Sequence, residues 1–266
     1  MADAQRHGVQ ARGIDVTVSQ WDCTLEPTPD GPALRLGMRL VKGLKEEAGR
    51  AVEAARRERA YADLSDFGVR TGLDRGGLLA LARAGALDAL LPPDHRGARG
   101  AVWAVEGIWG GLFARTPRVE EQIALPIASA FDEVQADYRA TGLSVRSHPV
   151  GLVRARLDAE GIVPLARLLE VRPGTVVRIA GLVSHRQRPG TASGVVFMTL
   201  EDETGTVNVV VWPKLFERQR QLIRGEPLVC ISGVVQREGE AISVVARHFT
   251  HLDAAPPVRA PSRDFR

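Results

Sequence analysis

Cysteine is nearly missing: Cys23 and Cys230 are the two in 266 residues. They stand far apart and neither belongs to a CxxC pair, which argues against both a cysteine-bound zinc and a disulfide framework. Long apolar runs are missing too, so no membrane-spanning helix is expected. The opening MADAQRHGVQ lacks the apolar core of a signal peptide, and together these absences predict a soluble chain in a reducing, cytoplasmic setting with no membrane partner. Aromatics make up only 5% of the residues. Charge of one sign is also in short supply: 35 basic against 32 acidic residues, a net +3 and a pI near 9.2, describe a mildly basic chain and not a polycation.

What is present divides into two periods. Helical spacing runs through RLGMRLV, EEAGRAVEAARRERA, RGGLLALARAGALDALL and FDEVQADYRATGL, with Pro92 and Pro93 ending the third. Residues 94–126 read as a connector holding one helix, AVWAVEGIWGGLF. After Val171 the period becomes two: TVVRIAGLVSHRQRP, GVVFMTLE, TVNVVVW, PLVCISGVVQREGE and AISVVARHFTHL are strands, with a helix KLFERQRQLI after the third. Five strands with a helix between the third and fourth predict an OB-fold barrel, whose second and third strands and whose loops after strands one and four form the usual ligand face. The fold class is therefore α+β and multidomain.

Within GVVFMTLEDETGTVNVVVWP, alternation puts Val196, Met198 and Leu200 on one face and Phe197, Thr199 and Glu201 on the other. On the return strand Val207, Val209 and Val211 are apolar-facing, while Asn208 and Trp212 share the mixed face, near Lys214. Rings at the ends of such a face suit stacking of unpaired bases, whereas packing under a loop is the plainer alternative. Arg186 and Arg188 in the loop SHRQRPGTAS, and Arg237 in QREGEA, are expected to converge on that face. The acidic cluster Glu201, Asp202 and Glu203 reads as solvated turn residues.

A second chemical pattern is Lys42-Gly43-Leu44-Lys45, a glycine turn opening onto a helix whose first N–H groups lack internal partners. Gly43 allows close approach, and Lys42 and Lys45 add charge, so a phosphate could dock without a base being read. An ordinary helix connection is the alternative. GLDRGG resembles a degenerate second copy with Arg75 as its basic member.

The segments DVTVSQWDCTLE, ALRLGMRLVKGLKEEAGRAVEAAR, LARAGALDAL, ADYRATGLSVRSHP and RQRPGTASGVVFMTLEDETGTVNVVVWP resemble the C-terminal part of C-family bacterial DNA polymerases, most of all their error-prone, damage-inducible branch. The resemblance covers nearly the whole chain. It implies the end of a fingers-like region at 1–37, a tandem helix-hairpin-helix region at 38–93, a connector with helices at 94–150, an OB-fold at 151–252 and a flexible tail at 253–266. It further implies translesion synthesis with magnesium and deoxynucleoside triphosphates, duplex DNA backbone and single-stranded template as partners, and accessory mutagenesis proteins and the sliding clamp. The family's catalytic carboxylates lie in a palm region that would precede Met1, so this chain by itself is expected to bind DNA without polymerising. The first hairpin departs from the family's Gly-hydrophobic-Gly pattern at Lys45, and only WGGLF, Trp109 to Phe113, faintly resembles a clamp-binding peptide. A stand-alone single-stranded nucleic-acid-binding module for DNA repair is the alternative.

Overall fold

The computed structural model describes residues 7–29, 31–113, 129–252 and 263–264, with backbone only for 109–113 and 263–264. The clamp-like side chains of Trp109 to Phe113, the end of the connector and most of the tail lie outside the described residues. Two compact units divide between Val145 and Arg146.

The first unit opens with three short strands, β1 (Ala11–Arg12), β2 (Thr24–Glu26) and β3 (Ala33–Arg35), with β3 central. These strands claim part of the stretch whose period suggested a helix. RLGMRLV accordingly forms only one 3-10 turn, Met38–Leu40, because a Cβ at Gly37 would collide with the backbone of Trp21 and Asp22, and the chain must stay close there. The helices are α1 (Glu46–Glu58), α2 (Leu64–Thr71), α3 (Arg75–Arg83), α4 (Ala98–Phe113) and α5 (Ala130–Ala140). Alternate helical positions of α1 bury Gly49, Val52 and Ala55, and Phe67, Leu81 and Leu87 fill the centre of this unit. The buried Glu53 accepts the Trp21 backbone N–H at 2.5 Å and pairs with Arg57 at 3.2 Å, which fixes α1 to the β-rich start.

The second unit is a closed barrel. After α6 (Arg154–Ala159) come β4 (Val176–Gln187), β5 (Val196–Glu201), β6 (Thr206–Val211), α7 (Pro213–Arg218), α8 (Arg220–Gly225), β7 (Leu228–Glu238) and β8 (Ala241–His251). The expected single helix KLFERQRQLI breaks at Gln219, where φ is −121° and the side chain is drawn to the Phe249 backbone. Pairing runs β5–β6–β8–β7–β4 and closes through β4–β5, with β6 and β8 parallel, the OB-fold order. A backbone pair, β9 (Arg263–Asp264), lies parallel to His185–Arg186 of β4. Inward residues Ile179, Met198, Leu200, Val209, Ile231 and Val244 make the core. Gly181 and Gly233 let the barrel bend tightly, since a Cβ on either would stand 2.5 Å from Leu200 or Val244.

The acidic turn corrects the sequence reading. Asp202 is fully buried, accepting the N–H groups of Leu165 (2.9 Å), Thr204 (2.7 Å) and Gly205 (2.9 Å) and pairing with Arg154 at 3.0 Å. Glu203 pairs with the same guanidinium. Both carboxylates thus fasten the segment before the barrel to the β5–β6 turn, and the burial comes from that segment, which no local pattern in DETG announces. Asp202→Ala, which leaves three N–H groups without their acceptor while Glu203 still holds Arg154, is expected to cost at least about 1 to 3 kcal/mol in urea unfolding followed by far-UV circular dichroism. A loss under about 1 kcal/mol, the range of exposed pairs, would return this turn to solvent.

Candidate nucleic-acid interface

The register of the barrel builds its outer face rung by rung. One rung crosses the sheet as Val234–Val245–Val210–Phe197, each residue opposite the next on β7, β8, β6 and β5. Phe197 is 39% exposed at the end of this apolar rung. Two residues beyond the Val210–Val245 pair come Trp212, 55% exposed, and exposed Arg247. The adjacent rung is polar throughout: Gln236–Ser243–Asn208–Thr199–His185. Phe197, Asn208 and Trp212 therefore share the outward side that alternation assigned to them. Trp212 immediately precedes α7, which carries exposed Lys214, and the Arg188 guanidinium lies 4.8 Å over the ring of Phe216 in the same helix. Arg188, Trp212 and Lys214 thus gather at the loop between β4 and β5.

Arg186 and Arg237 do not join them. Both belong to strands, not loops, because β4 runs on to Gln187 and β7 to Glu238. Ser184 is an extra residue in β4: Val183 pairs with Leu200 but His185 pairs with Thr199. That bulge reverses the alternation, so Arg186, opposite buried Met198, turns inward. It is 8% exposed and donates to the carbonyls of Ile223 (2.8 Å) and Glu226 at the end of α8. Arg237, opposite the half-buried core residue Ile242, donates to the Leu169 carbonyl at 2.6 Å. Each arginine closes a segment over the barrel, and the predicted convergence on Phe197 and Trp212 fails for both. Sequence reasoning passed over Val234, Val245, Ser243, Gln236, His185 and Arg247; cross-strand register is the signal that finds them, and one strand read alone does not contain it.

In the first unit the glycine turn forms as expected. Leu44 N–H bonds the Val41 carbonyl at 3.2 Å, Gly43 takes φ +84°, and Leu44 is buried. Lys45 caps α1 with φ −80°, a conformation open to any residue, which explains why a second glycine is dispensable. Its side chain is exposed at the helix start, although Glu46 and Glu47 stand in the same first turn. Lys42 points elsewhere. Its ammonium donates to the carbonyls of Tyr138 (3.0 Å) and Arg139 (3.1 Å) at the end of α5, and burial holds it below the usual lysine range. The phosphate role expected of Lys42 is corrected to that of a helix C-cap.

The second turn repeats the geometry with different chemistry. Gly72 has φ +61° and Leu73 is buried, but Asp74 caps α3 by accepting the Gly77 N–H at 2.7 Å. Its carboxylate occupies the position an anion would take. Arg75 is engaged by Glu106 of α4 at 3.1 and 2.5 Å, an exposed ion pair that its expected phosphate contact would have to displace.

Comparison with known proteins agrees with this division. Residues 8–98 match the helix-hairpin-helix motif family, and residues 177–252 match the OB-fold nucleic acid binding domain family. The whole chain aligns at 44% identity with the error-prone DNA polymerase of Pseudomonas fluorescens Pf-5, covering 27% of that protein. The chain is homologous to the C-terminal part of the error-prone DNA polymerases. The error-prone DNA polymerase of Azoarcus sp. BH72 is 45% identical, with all of this chain and 25% of that protein covered. That of Anaeromyxobacter dehalogenans 2CP-1 is 43% identical over 99% of this chain and 24% of its own length. The chain spans about a quarter of the length of these error-prone polymerases. Among the described residues no helix is long and apolar enough to cross a membrane, and no group of three or more His, Cys, Asp or Glu is placed to hold a metal ion.

If Lys45 and not Lys42 meets phosphate, Lys45→Ala should weaken duplex binding and reduce the log–log salt slope by about 1. Lys42→Ala should leave that slope unchanged. Titrations over a salt series check this, and a slope lowered only by the Lys42 variant would reverse the assignment.

Proposed function

We propose that this chain is the DNA-holding part of an error-prone DNA polymerase acting in damage-induced mutagenesis and translesion synthesis. The observation that carries the reading is the outward apolar rung ending in exposed Phe197, with Trp212 beyond it and Arg188, Lys214 and Arg247 nearby. Rings of this kind stack on unpaired bases regardless of sequence, and cations around them follow the phosphates. Phe197, Asn208, Trp212, Lys214, Arg188 and Arg247 are assigned to single-stranded template, and Gly43, Leu44 and Lys45 to the duplex backbone, where Leu44 anchors the turn and the others meet phosphate.

Nucleotidyl transfer belongs to carboxylates elsewhere in the polymerase, which hold magnesium and the incoming deoxynucleoside triphosphate. In this chain the acidic turn is committed to Arg154 and backbone N–H groups. The sliding clamp, accessory mutagenesis proteins and a cytoplasmic setting enter the reading through the family likeness.

This chain is expected to bind primed and single-stranded DNA with a log–log salt slope of roughly −3 to −5, as for about four to six neutralised phosphates. It should incorporate no nucleotide when magnesium and all four triphosphates are supplied. Phe197→Ala or Trp212→Ala should weaken single-strand binding by about 1 to 3 kcal/mol, measured by fluorescence anisotropy on variants whose far-UV circular dichroism is unchanged. A flat salt response, or full affinity in both folded variants, would contradict the reading.

A further inference from the structure

The polar rung beside the rings has a directionality of its own. Thr199 Oγ1 donates to Asn208 Oδ1 at 3.4 Å, so the neighbouring strand engages the carboxamide oxygen. Asn208 is exposed, and it stands between Thr199 on β5 and Ser243 on β8, one rung from Val210 and Phe197. With one lone pair of its oxygen turned to Thr199, the amide is oriented so that its NH2 group, which donates and does not accept, is the side left for a ligand. A base stacked over the apolar rung would bring its polar edge toward this group.

We propose that Asn208, positioned by Thr199, discriminates the exocyclic group of a base lying on this face, favouring keto bases over amino bases. A carbonyl such as O4 of thymine or uracil accepts from the NH2 group. The N4 amino group of cytosine is itself a donor and meets it donor to donor. Stacking alone does not distinguish these pyrimidines in this way, so the preference is a property of the rung and not of the rings. The inference rests on the single-strand reading of this face given above.

The test compares deoxyuridine and deoxycytidine homo-oligomers of equal length, whose bases differ at the exocyclic O4 or N4 and the protonation of N3, in anisotropy titrations with the full chain. The deoxyuridine strand is expected to bind about 3- to 10-fold more tightly, the span one neutral hydrogen bond supplies. Asn208→Ala should bring the two affinities together. Asn208→Asp exchanges the donor for an acceptor and should invert the ratio in favour of deoxycytidine, whatever its effect on overall affinity. Thr199→Val, which removes the positioning hydroxyl but keeps the strand, should shrink the ratio without abolishing binding.

Equal affinities in the wild type, or a deoxyuridine preference that survives in Asn208→Asp, would overturn this assignment while leaving the single-strand reading intact. Failure of the wild type to bind either oligomer would instead remove the reading beneath it.

Discussion

The barrel depends on one strand serving two partners. β4 pairs with β7 from Val176 to Leu182 and with β5 from Leu182 to Gln187, so a single chain segment must bend at Leu182 and change neighbours there. Gly181 permits the close approach and Ser184 supplies the extra residue that sharpens the bend. Closure then decides everything downstream, because each residue of five strands is either inside the barrel or outside it, and an inward side chain is lost to any ligand.

That sorting explains the uneven fate of the charged residues. Arg186 points inward near the end of β4, where a guanidinium with no hydrogen-bonding partner would be costly, whereas Arg237 is exposed near the end of β7; both donate to backbone carbonyls of capping segments. Lys42 does the equivalent at the end of α5, and Arg75 is neutralised by Glu106. The cations remaining near the rings are Arg188, Lys214 and Arg247. A mildly basic composition therefore does not say which cations are placed for a ligand: Arg186, Arg237, Lys42 and Arg75 hold segments of the fold, and Arg188, Lys214 and Arg247 stand exposed on the side of the aromatics.

The fold was legible in the sequence because it is written in periods. Alternation in GVVFMTLE and TVNVVVW assigned inside and outside faces, and the strand–strand–strand–helix–strand–strand order identified the barrel. What stayed hidden had physical causes that lie outside any one segment. The bulge at Ser184 is defined only by pairing with β5, so the inward turn of Arg186 could not be read from SHRQRP. Burial of Asp202 is caused by Arg154 and Leu165, far back in the chain. The difference between the two glycine turns came down to the capping residue, Lys45 or Asp74, and the reading of GLDRGG took Arg75 as its basic member and passed over the Asp74 cap. The polar rung needs five strands in register before its five residues become neighbours.

Neighbouring valines of opposite parity supply the most direct measurement of the central claim, that the ligand lies on the outward rungs of a closed barrel. In a methyl-labelled sample titrated with a deoxythymidine oligomer, shifts are expected at Val210, Val234 and Val245, while Val209, Val235 and Val244, one residue away but facing the core, stay in place. Shifts concentrated around Arg186 and Arg237, or spread equally over both sets of valines, would contradict it.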